Sequence, residues 1–463
     1  MIDCFYMEGL PVAVMGLGKS GLPTAKALMR SGAEVWAWDD EKARRDEAEA
    51  ESIPLVDLGR CDWREVTTLV LSPGIPHTYP KPHPVAAAAR AADVEIVGDI
   101  ELLARAQREP AYVGITGTNG KSTTTSLIGH VLRQAGRDVE VGGNLGMPAL
   151  TLNPLGEGGI YVLEMSSYQI ELTVSITFDV AVLLNITPDH LDRHGGMDGY
   201  VAAKRRIFHR QTKPRAAVIG VDDDHCRRIH ADLTRTGDQR VFAISSEIVV
   251  KGGVYATDGV LIDDTDGAAV PALDLRAVAT LPGRHNWQNA AAAYAAARAI
   301  GIAPPVIAQC IRSYPGLKHR QEQVTVVDGI RFINDSKATN ADAAAKALAS
   351  YDTIYWIAGG KPKEGGLDVL YPHLGRVRRG FLIGEAAQRF GAELAGKIPL
   401  EQCGELKIAV ARAYAAARGD KARDAVVLLS PACASFDQFT DFEARGEAFR
   451  KLALTLVQQG AQQ

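Results

Sequence analysis

The chain lacks the features that mark secreted, membrane or nucleic-acid-binding proteins. Its six cysteines, at positions 4, 61, 226, 310, 403 and 433, are scattered and never spaced as C-x-x-C. They suggest neither a disulfide framework nor a cysteine zinc site, and they fit a reducing cytoplasm. There is no excess of positive charge: 51 Lys and Arg stand against 55 Asp and Glu, a formal net charge of -4. Nucleic acid is therefore not an expected partner, because phosphate binding normally needs a basic surface. The opening MIDCFYMEGL carries acids where a secretory signal needs positive charge. No apolar run approaches the ~18 residues of a membrane span. Low-complexity segments and strong internal repeats are missing too, and alanine-rich patches such as 86–92 read as helix interior.

What is present is material for several cores. At 463 residues, 46% hydrophobic and 23% charged, the chain is too long for one core and should form two to four domains. The most telling stretch is Tyr112–Thr125, YVGITGTNGKSTTT. An apolar strand runs into Gly117 and Gly120, then Lys121 and Ser122, and Leu127, Ile128, Val131 and Leu132 recur at helical spacing. A glycine loop between strand and helix turns backbone N–H groups toward an anion, helped by the helix dipole. Lys121 would reach outer phosphates and Ser122 would ligate Mg²⁺. The P-loop pattern wants glycine six positions before the lysine, where this chain has Ile115. The competing reading is an ordinary strand-to-helix turn.

Before that stretch, Pro11–Met15 reads as a strand followed by Gly16-Leu17-Gly18-Lys19-Ser20-Gly21 and a helix. A second strand, Glu34–Trp38, ends at Asp39. This is a G-x-G-x-x-G turn with an acid at the next strand tip, so NAD is the obvious ligand. The glycines themselves support only a dinucleotide or nucleotide-sugar phosphate at a helix N-terminus. Thr68–Ser72 ends in Ser-Pro-Gly (72–74) at the carboxyl edge, where open α/β sheets bind ligands. A first boundary falls near residue 99.

Further along, Gly142-Gly143-Asn144 is a polar glycine loop. Ile160–Leu163 is a strand ending at Glu164, an acid at a buried strand tip that suits Mg²⁺. Val180–Leu184 leads into His190 and His194, spaced i, i+4 but without the third ligand of a zinc site. Tyr200, Lys204, Ile207 and Phe208 fall on a helix whose Lys204-Arg205-Arg206 run reads as a solvated face. Residues 216–283 are strand-rich, with Gly253–Ile262 read as one strand. Asn286 and Asn289 stand a turn apart, unassigned. Gly301–Pro305 punctuates a second boundary. The last region has strands ending in polar loops at Asn334–Asn340, Gly359–Lys363 and Ser430–Ser435, as in a third doubly wound sheet.

TGTNGKST (116–123), LEMSSYQIE (163–171), NITPDHLDRHG (185–195), AAKRRIF (202–208), GRHNWQNA (283–290), KHR (318–320), NDSKATN (334–340) and SPACASFDQF (430–439) together resemble the Mur ligase family over nearly the whole chain. The resemblance implies an α/β protein of three domains: a Rossmann-like UDP-substrate domain (1–99), a central P-loop ATPase domain with a mostly parallel sheet (100–304), and a Rossmann-like C-terminal domain (305–463) that binds the amino acid and closes over ATP. It implies a monomeric cytoplasmic ligase that joins D-glutamate to UDP-N-acetylmuramoyl-L-alanine with ATP and two Mg²⁺ ions, with a sibling adding another amino acid as the alternative. By the same resemblance, Gly117, Thr118, Asn119, Gly120, Lys121, Ser122 and Thr123 hold the phosphates. Asn289, Arg320 and Asp335 contact the nucleotide. Ser122, Glu164, His190 and a carbamylated Lys204 serve the metal ions, and Lys121, Glu164, His190 and Lys204 form the catalytic set. Lys19, Ser20, Asp39, Ser72 and Gly74 line the uridine diphosphate site, and Asn144 the sugar-peptide. Thr339, Lys363, Ser435, Phe436 and Phe442 hold the amino acid, with Lys363 chosen over Lys361 in a loop that varies in the family. A dehydrogenase and a nucleotide-binding regulator remain as rival classes.

Overall fold

Four short apolar runs begin the chain: β1 (Pro11–Met15), β2 (Glu34–Trp38), β3 (Thr68–Leu71) and β4 (Glu95–Val97). They pair in parallel in the order β2-β1-β3-β4. The order reverses between β1 and β3, which places the ligand crevice at the tips of those two strands. The coordinates are a computed structural model that describes residues 1–362 and 365–460.

The second sheet is built from β5 (Ala111–Thr116), β6 (Val139–Gly143), β7 (Ile160–Glu164), β8 (Val180–Leu183), β9 (Ala216–Gly220), β10 (Arg240–Ser245), β11 (Val254–Thr257), β12 (Val260–Asp263) and β13 (Val270–Asp274). Its order is β13-β12-β11-β10-β9-β8-β5-β7-β6. Strands β7, β8 and β9 are buried throughout, as unbroken apolar runs in a parallel sheet should be. The β11–β12 and β12–β13 pairs are antiparallel. The segment Gly253–Ile262 is therefore not one strand. It turns at Asp258 and Gly259, whose φ values of 49° and 78° suit the tight Asp-Gly hairpin that matches strand twist. The outermost strand, β13, carries Pro271, exposed and paired with Ile262.

A third sheet contains β14 (Glu322–Val327), β15 (Ile330–Asn334), β16 (Ile354–Gly359), β17 (Val377–Ile383), β18 (Leu400–Gly404) and β19 (Val426–Leu429), in the order β14-β15-β19-β16-β17-β18. Only β14–β15 is antiparallel, and it too turns on an Asp-Gly pair with positive φ, Asp328 and Gly329. The fold is thus α/β with mostly parallel sheets.

The chain divides into two compact units, Met1–Leu275 with Trp287–Tyr314, and Arg276–Asn286 with Pro315–Gln463. The first unit holds two sheets because they share a core: Val12, Val14 and Val70 belong to one buried cluster with Leu103, Tyr112, Leu163 and Leu183.

Candidate active site

The loop after β5 is short and tightly specified. Gly117 and Gly120 have φ of 151° and 87°, and a Cβ on Gly120 would lie 2.3 Å from Asn289 Oδ1. Only glycine permits both that backbone and that approach. Ile115, where a longer P-loop would place a glycine, is fully buried and pairs with Glu164 and Val182, so the turn starts only after Thr116. The loop is braced from the segment after β8. Asn185 Oδ1 accepts from Asn119 N at 2.9 Å, its Nδ2 donates to Asn119 O at 3.1 Å, and Thr118 Oγ1 donates to Thr187 O at 3.1 Å. Lys121 starts the helix Lys121–Gln134 and folds back, its Nζ donating to Gly117 O at 2.9 Å and Thr118 O at 2.8 Å. Ser122 is buried on the first turn of that helix and Thr123 is half-buried. Thr124 Oγ1 donates to Asn289 Oδ1 at 3.2 Å, tying Asn289 to the same loop.

Glu164, at the tip of β7, is 2% exposed. Its Oε1 accepts from Asn144 Nδ2 at 2.6 Å, while Oε2 is buried with no hydrogen-bond partner among the described residues. An orphaned carboxylate oxygen is costly unless a cation or donor completes it. Lys204 is 1% exposed, so the solvated-face reading of its Lys-Arg-Arg run is corrected: Arg205 and Arg206 face solvent and Lys204 turns inward. Lys204 Nζ donates to Gly117 O at 3.0 Å and Thr116 Oγ1 at 3.4 Å, and lies 4.7 Å from the centre of the Tyr200 ring. Burial first, and the charge of Lys121 second, push its pKa well below the usual lysine range.

The two histidines separate cleanly. His194 is buried, with Nδ1 3.0 Å from Glu171 Oε1 and Nε2 2.9 Å from Ser167 Oγ. His190 is exposed, its ring 5.2 Å from that of Tyr168, and it adopts φ of 50°. A non-glycine residue held in the left-handed region is strained and such strain collects at functional sites.

At the tips of β1 and β3, Ser72 Oγ donates to Gly16 O at 2.8 Å, and Gly16 has φ of 88°. Asp39 is half-buried and turns one oxygen to the glycine loop: Oδ2 accepts from Leu17 N at 2.6 Å and Oδ1 from Glu41 N at 2.9 Å. Lys19 and Gly74 are exposed and Ser20 half-buried.

In the second unit, Asp335 follows β15. Its Oδ2 accepts from Ser430 Oγ at 2.8 Å and its Oδ1 from Gln321 N at 3.2 Å. Burial pushes its pKa up to about 7, against those hydrogen bonds and the charge of Arg320. Ser435 is buried, Thr339 and Phe442 are half-buried, and Phe436 is exposed. Lys363 lies outside the described residues, while Lys361 pairs by its backbone with Ala434, at 2.9 Å and 3.1 Å.

Residues 115–297 match the Mur ligase middle domain family. The chain is 55% identical over 462 residues to the UDP-N-acetylmuramoylalanine–D-glutamate ligase of Rhodospirillum rubrum, covering 99% of this chain and 97% of that protein. It is likewise 55% identical over 462 residues to the protein of the same name from Paramagnetospirillum magneticum, covering the whole of both. This chain belongs to the Mur ligase family. Among solved structures, it superposes on UDP-N-acetylmuramate-alanine ligase MurC from Thermotoga maritima with a TM-score of 0.56 at 17% identity, covering 96% of this chain and 99% of that one. MurF from Acinetobacter baumannii gives a TM-score of 0.57 at 18% identity, covering 99% and 93%. These two share the fold.

Three positions in this Mur ligase carry more of the site than the motifs alone suggest. Asn185 braces the loop after β5, and its signal was its place at the head of NITPDHLDRHG, two residues past β8. Arg193 reaches the 73–79 loop of the first sheet, donating to Tyr79 O at 2.7 Å while its guanidinium lies 4.6 Å from the centre of the Tyr168 ring. Arg445 is buried among the loops of the third sheet. Its signal is spacing: Phe442, Arg445, Gly446 and Phe449 form one stripe of the final helix.

Proposed function

We propose that this chain ligates D-glutamate to UDP-N-acetylmuramoyl-L-alanine, with ATP converted to ADP and phosphate, in the making of peptidoglycan precursor. The observation that carries the reading is identity of 55% over the full length to proteins of that name. The domain division 1–99, 100–304 and 305–463 goes with it, serving UDP substrate, ATP and amino acid in that order. The enzyme works as a monomer in the cytoplasm; among the described residues no helix is long and apolar enough to cross a membrane.

A carboxylate does not condense with an amine at neutral pH, because oxide is too poor a leaving group. An oxygen of the alanyl carboxylate attacks the γ-phosphorus and ADP departs, leaving an acyl phosphate. The amine of glutamate then attacks the acyl carbon, and the tetrahedral intermediate expels inorganic phosphate. Lys121 and the amides of 117–120 hold the phosphates and offset their charge. The donor set fits a divalent cation: Mg²⁺ takes few carboxylates beside phosphate and water, and Glu164 offers a buried oxygen that nothing else in the described chain uses. Ser122, Glu164, His190 and carbamylated Lys204 would hold two such ions. When bound, they neutralise charge on the transferring phosphoryl group.

Lys204 supports the carbamate reading through its surroundings. Its two hydrogen bonds run to one carbonyl and one hydroxyl, and among the described residues no carboxylate lies within bonding distance, Asp189 and Glu164 acting on it only from further off. Burial favours the neutral amine, whose nitrogen adds to carbon dioxide and releases a proton. The product is an anion with two oxygens that can face a cation. The remaining roles follow the family pattern: Lys19, Ser20, Asp39, Ser72, Gly74 and Asn144 toward the UDP substrate, Asn289, Arg320 and Asp335 toward the nucleotide, and Thr339, Lys363, Ser435, Phe436 and Phe442 toward glutamate. For Asp39 the geometry favours an indirect part, since both carboxylate oxygens already hold backbone N–H groups.

The test is phosphate release by protein, ATP, Mg²⁺, UDP-N-acetylmuramoyl-L-alanine and D-glutamate, with each component withheld in turn. Release should require all of them. Brisk ATP hydrolysis with both acceptor substrates absent would overturn the ligase reading.

A further inference from the structure

Arg445 lies one turn into the helix Phe442–Gly460 and is 1% exposed. A guanidinium so deeply buried usually meets a carboxylate, yet among the described residues none lies within ion-pair distance of it. Its hydrogen bonds run instead to neutral oxygens of two loops, those after β15 and β19. Nε donates to Ser336 Oγ at 3.0 Å, Nη2 to Ser336 O at 2.9 Å and Cys433 O at 3.1 Å, and Nη1 to Ala434 O at 3.2 Å. The loop after β16 joins the same bundle. Gly360 has φ of 130°, a Cβ there would stand 3.0 Å from Nη1, and Lys361 pairs with Ala434. Ser336 Oγ closes the circuit by donating to Phe442 O at 2.8 Å. Burial pulls the pKa of Arg445 down to about 10, so at neutral pH it remains a cation.

We propose that Arg445 is a positioning residue for the incoming amino acid: it fastens the loops after β15 and β19 and the start of its own helix into one body and gives that body a positive charge. The inference rests on the reading above that Thr339, Ser435 and Phe442 serve glutamate. Those residues follow Ser336, follow Ala434, and start the helix of Arg445, so each is attached to a group the guanidinium holds. With no carboxylate within ion-pair distance among the described residues and only Asp437 acting on it from further off, the cation leaves a positive potential at these strand tips, which favours a dicarboxylate over a neutral amino acid. Four planar bonds, to three carbonyls and one hydroxyl, are a task for arginine, which lysine cannot copy.

The experiment compares Michaelis constants for all three substrates in Arg445→Lys and Arg445→Met. Arg445→Lys should raise KM for D-glutamate about tenfold, the scale of losing a charged hydrogen bond. KM for ATP and for the UDP substrate should stay within about twofold of wild type. Arg445→Met, lacking the charge as well, should raise KM for D-glutamate further. A fall in melting temperature with all three constants unchanged, or an equal rise in all three, would show a merely structural staple and overturn the proposal. Should Arg445→Lys fail to fold, Ser336→Ala carries the test: it deletes one anchor and should raise KM for D-glutamate about threefold, and no rise overturns the proposal. Thr339→Ala and Ser435→Ala separate the two levels. If neither raises KM for D-glutamate, these loops are not the amino-acid site and the underlying reading fails. If they do and Arg445→Lys does not, this inference alone fails.

Discussion

The loops at the strand tips of the first unit and those of the second are fastened by opposite means. Around β5 the fastening is neutral: Asn185 grips both backbone faces of Asn119, and Thr118 reaches Thr187. The two lysines at that loop, Lys121 and Lys204, rest on the carbonyl of Gly117. Around β15 and β19 the fastening is itself charged, with Arg445 at the centre and, among the described residues, no carboxylate within ion-pair distance of it. The difference teaches where each unit keeps its cations. In the first unit neutral side chains hold the loop backbone and the lysine ammoniums rest on its carbonyls. In the second unit one buried guanidinium holds the loops and carries the charge as well.

The most severe way to break the neutral arrangement is Lys121→Ala. Turnover should drop about 10²–10³-fold, the range for losing one preorganised stabilising donor, measured as phosphate release at saturating substrates. Lys204→Ala should come next, with a loss of about 10²-fold. Acetate should restore part of that activity by supplying the missing carboxylate, and Lys204→Glu should exceed Lys204→Ala. Full activity in Lys204→Ala, or a bare amine by mass measurement on bicarbonate-equilibrated protein, would remove the carbamate. Gly120→Ala tests the brace itself. With φ of 87° and Asn289 Oδ1 in the way, it should cost the first unit about 2–3 kcal/mol in denaturant unfolding. Gly74→Ala, which meets nothing within 4 Å, should cost almost none.

A separate effect, on stability and not on turnover, is a pH dependence confined to the second unit. Burial raises the folded pKa of Asp335 from 3.8 to about 7. The folded unit therefore keeps a proton that the unfolded chain gives up. This contribution is fully present below the unfolded pKa and is lost as pH rises through the folded one, between about 4 and 7. Asp335→Asn should abolish that part of the decline, so wild type and variant diverge most in urea midpoint above pH 7. Parallel curves would show that Asp335 is not buried as described.

Much of the first unit was legible because its signals are local. Glycine, lysine and serine in sequence specify the phosphate loop, and Glu164 sits where a buried run ends. The Asp-Gly pairs at 258–259 and 328–329 were equally local, yet Gly253–Ile262 read as one strand and β14 went unread. The apolar content on either side of the turn masked the hairpin signal. Lys204 misled because two exposed arginines follow it, although Tyr200, Lys204 and Ile207 at i, i+4 and i+7 trace the inner face. For Arg445 the spacing marked its place on the inner stripe of the final helix but not what it binds. Its partners are backbone oxygens from segments about a hundred residues upstream and ten upstream, and no spacing rule reports on carbonyl groups.

Pro271 carries a consequence for the behaviour of the protein in bulk. It stands on β13, the last strand of the nine-stranded sheet, where an unpaired row of N–H groups would be a template for another chain. Proline has no N–H to offer, and its ring obstructs an incoming strand. The exposed Val270 beside it is the kind of side chain that edge-to-edge stacking would recruit. Restoring the donor with Pro271→Thr should leave ligation untouched while increasing light scattering of concentrated solutions on warming, because the rim of the sheet would then be open to self-association.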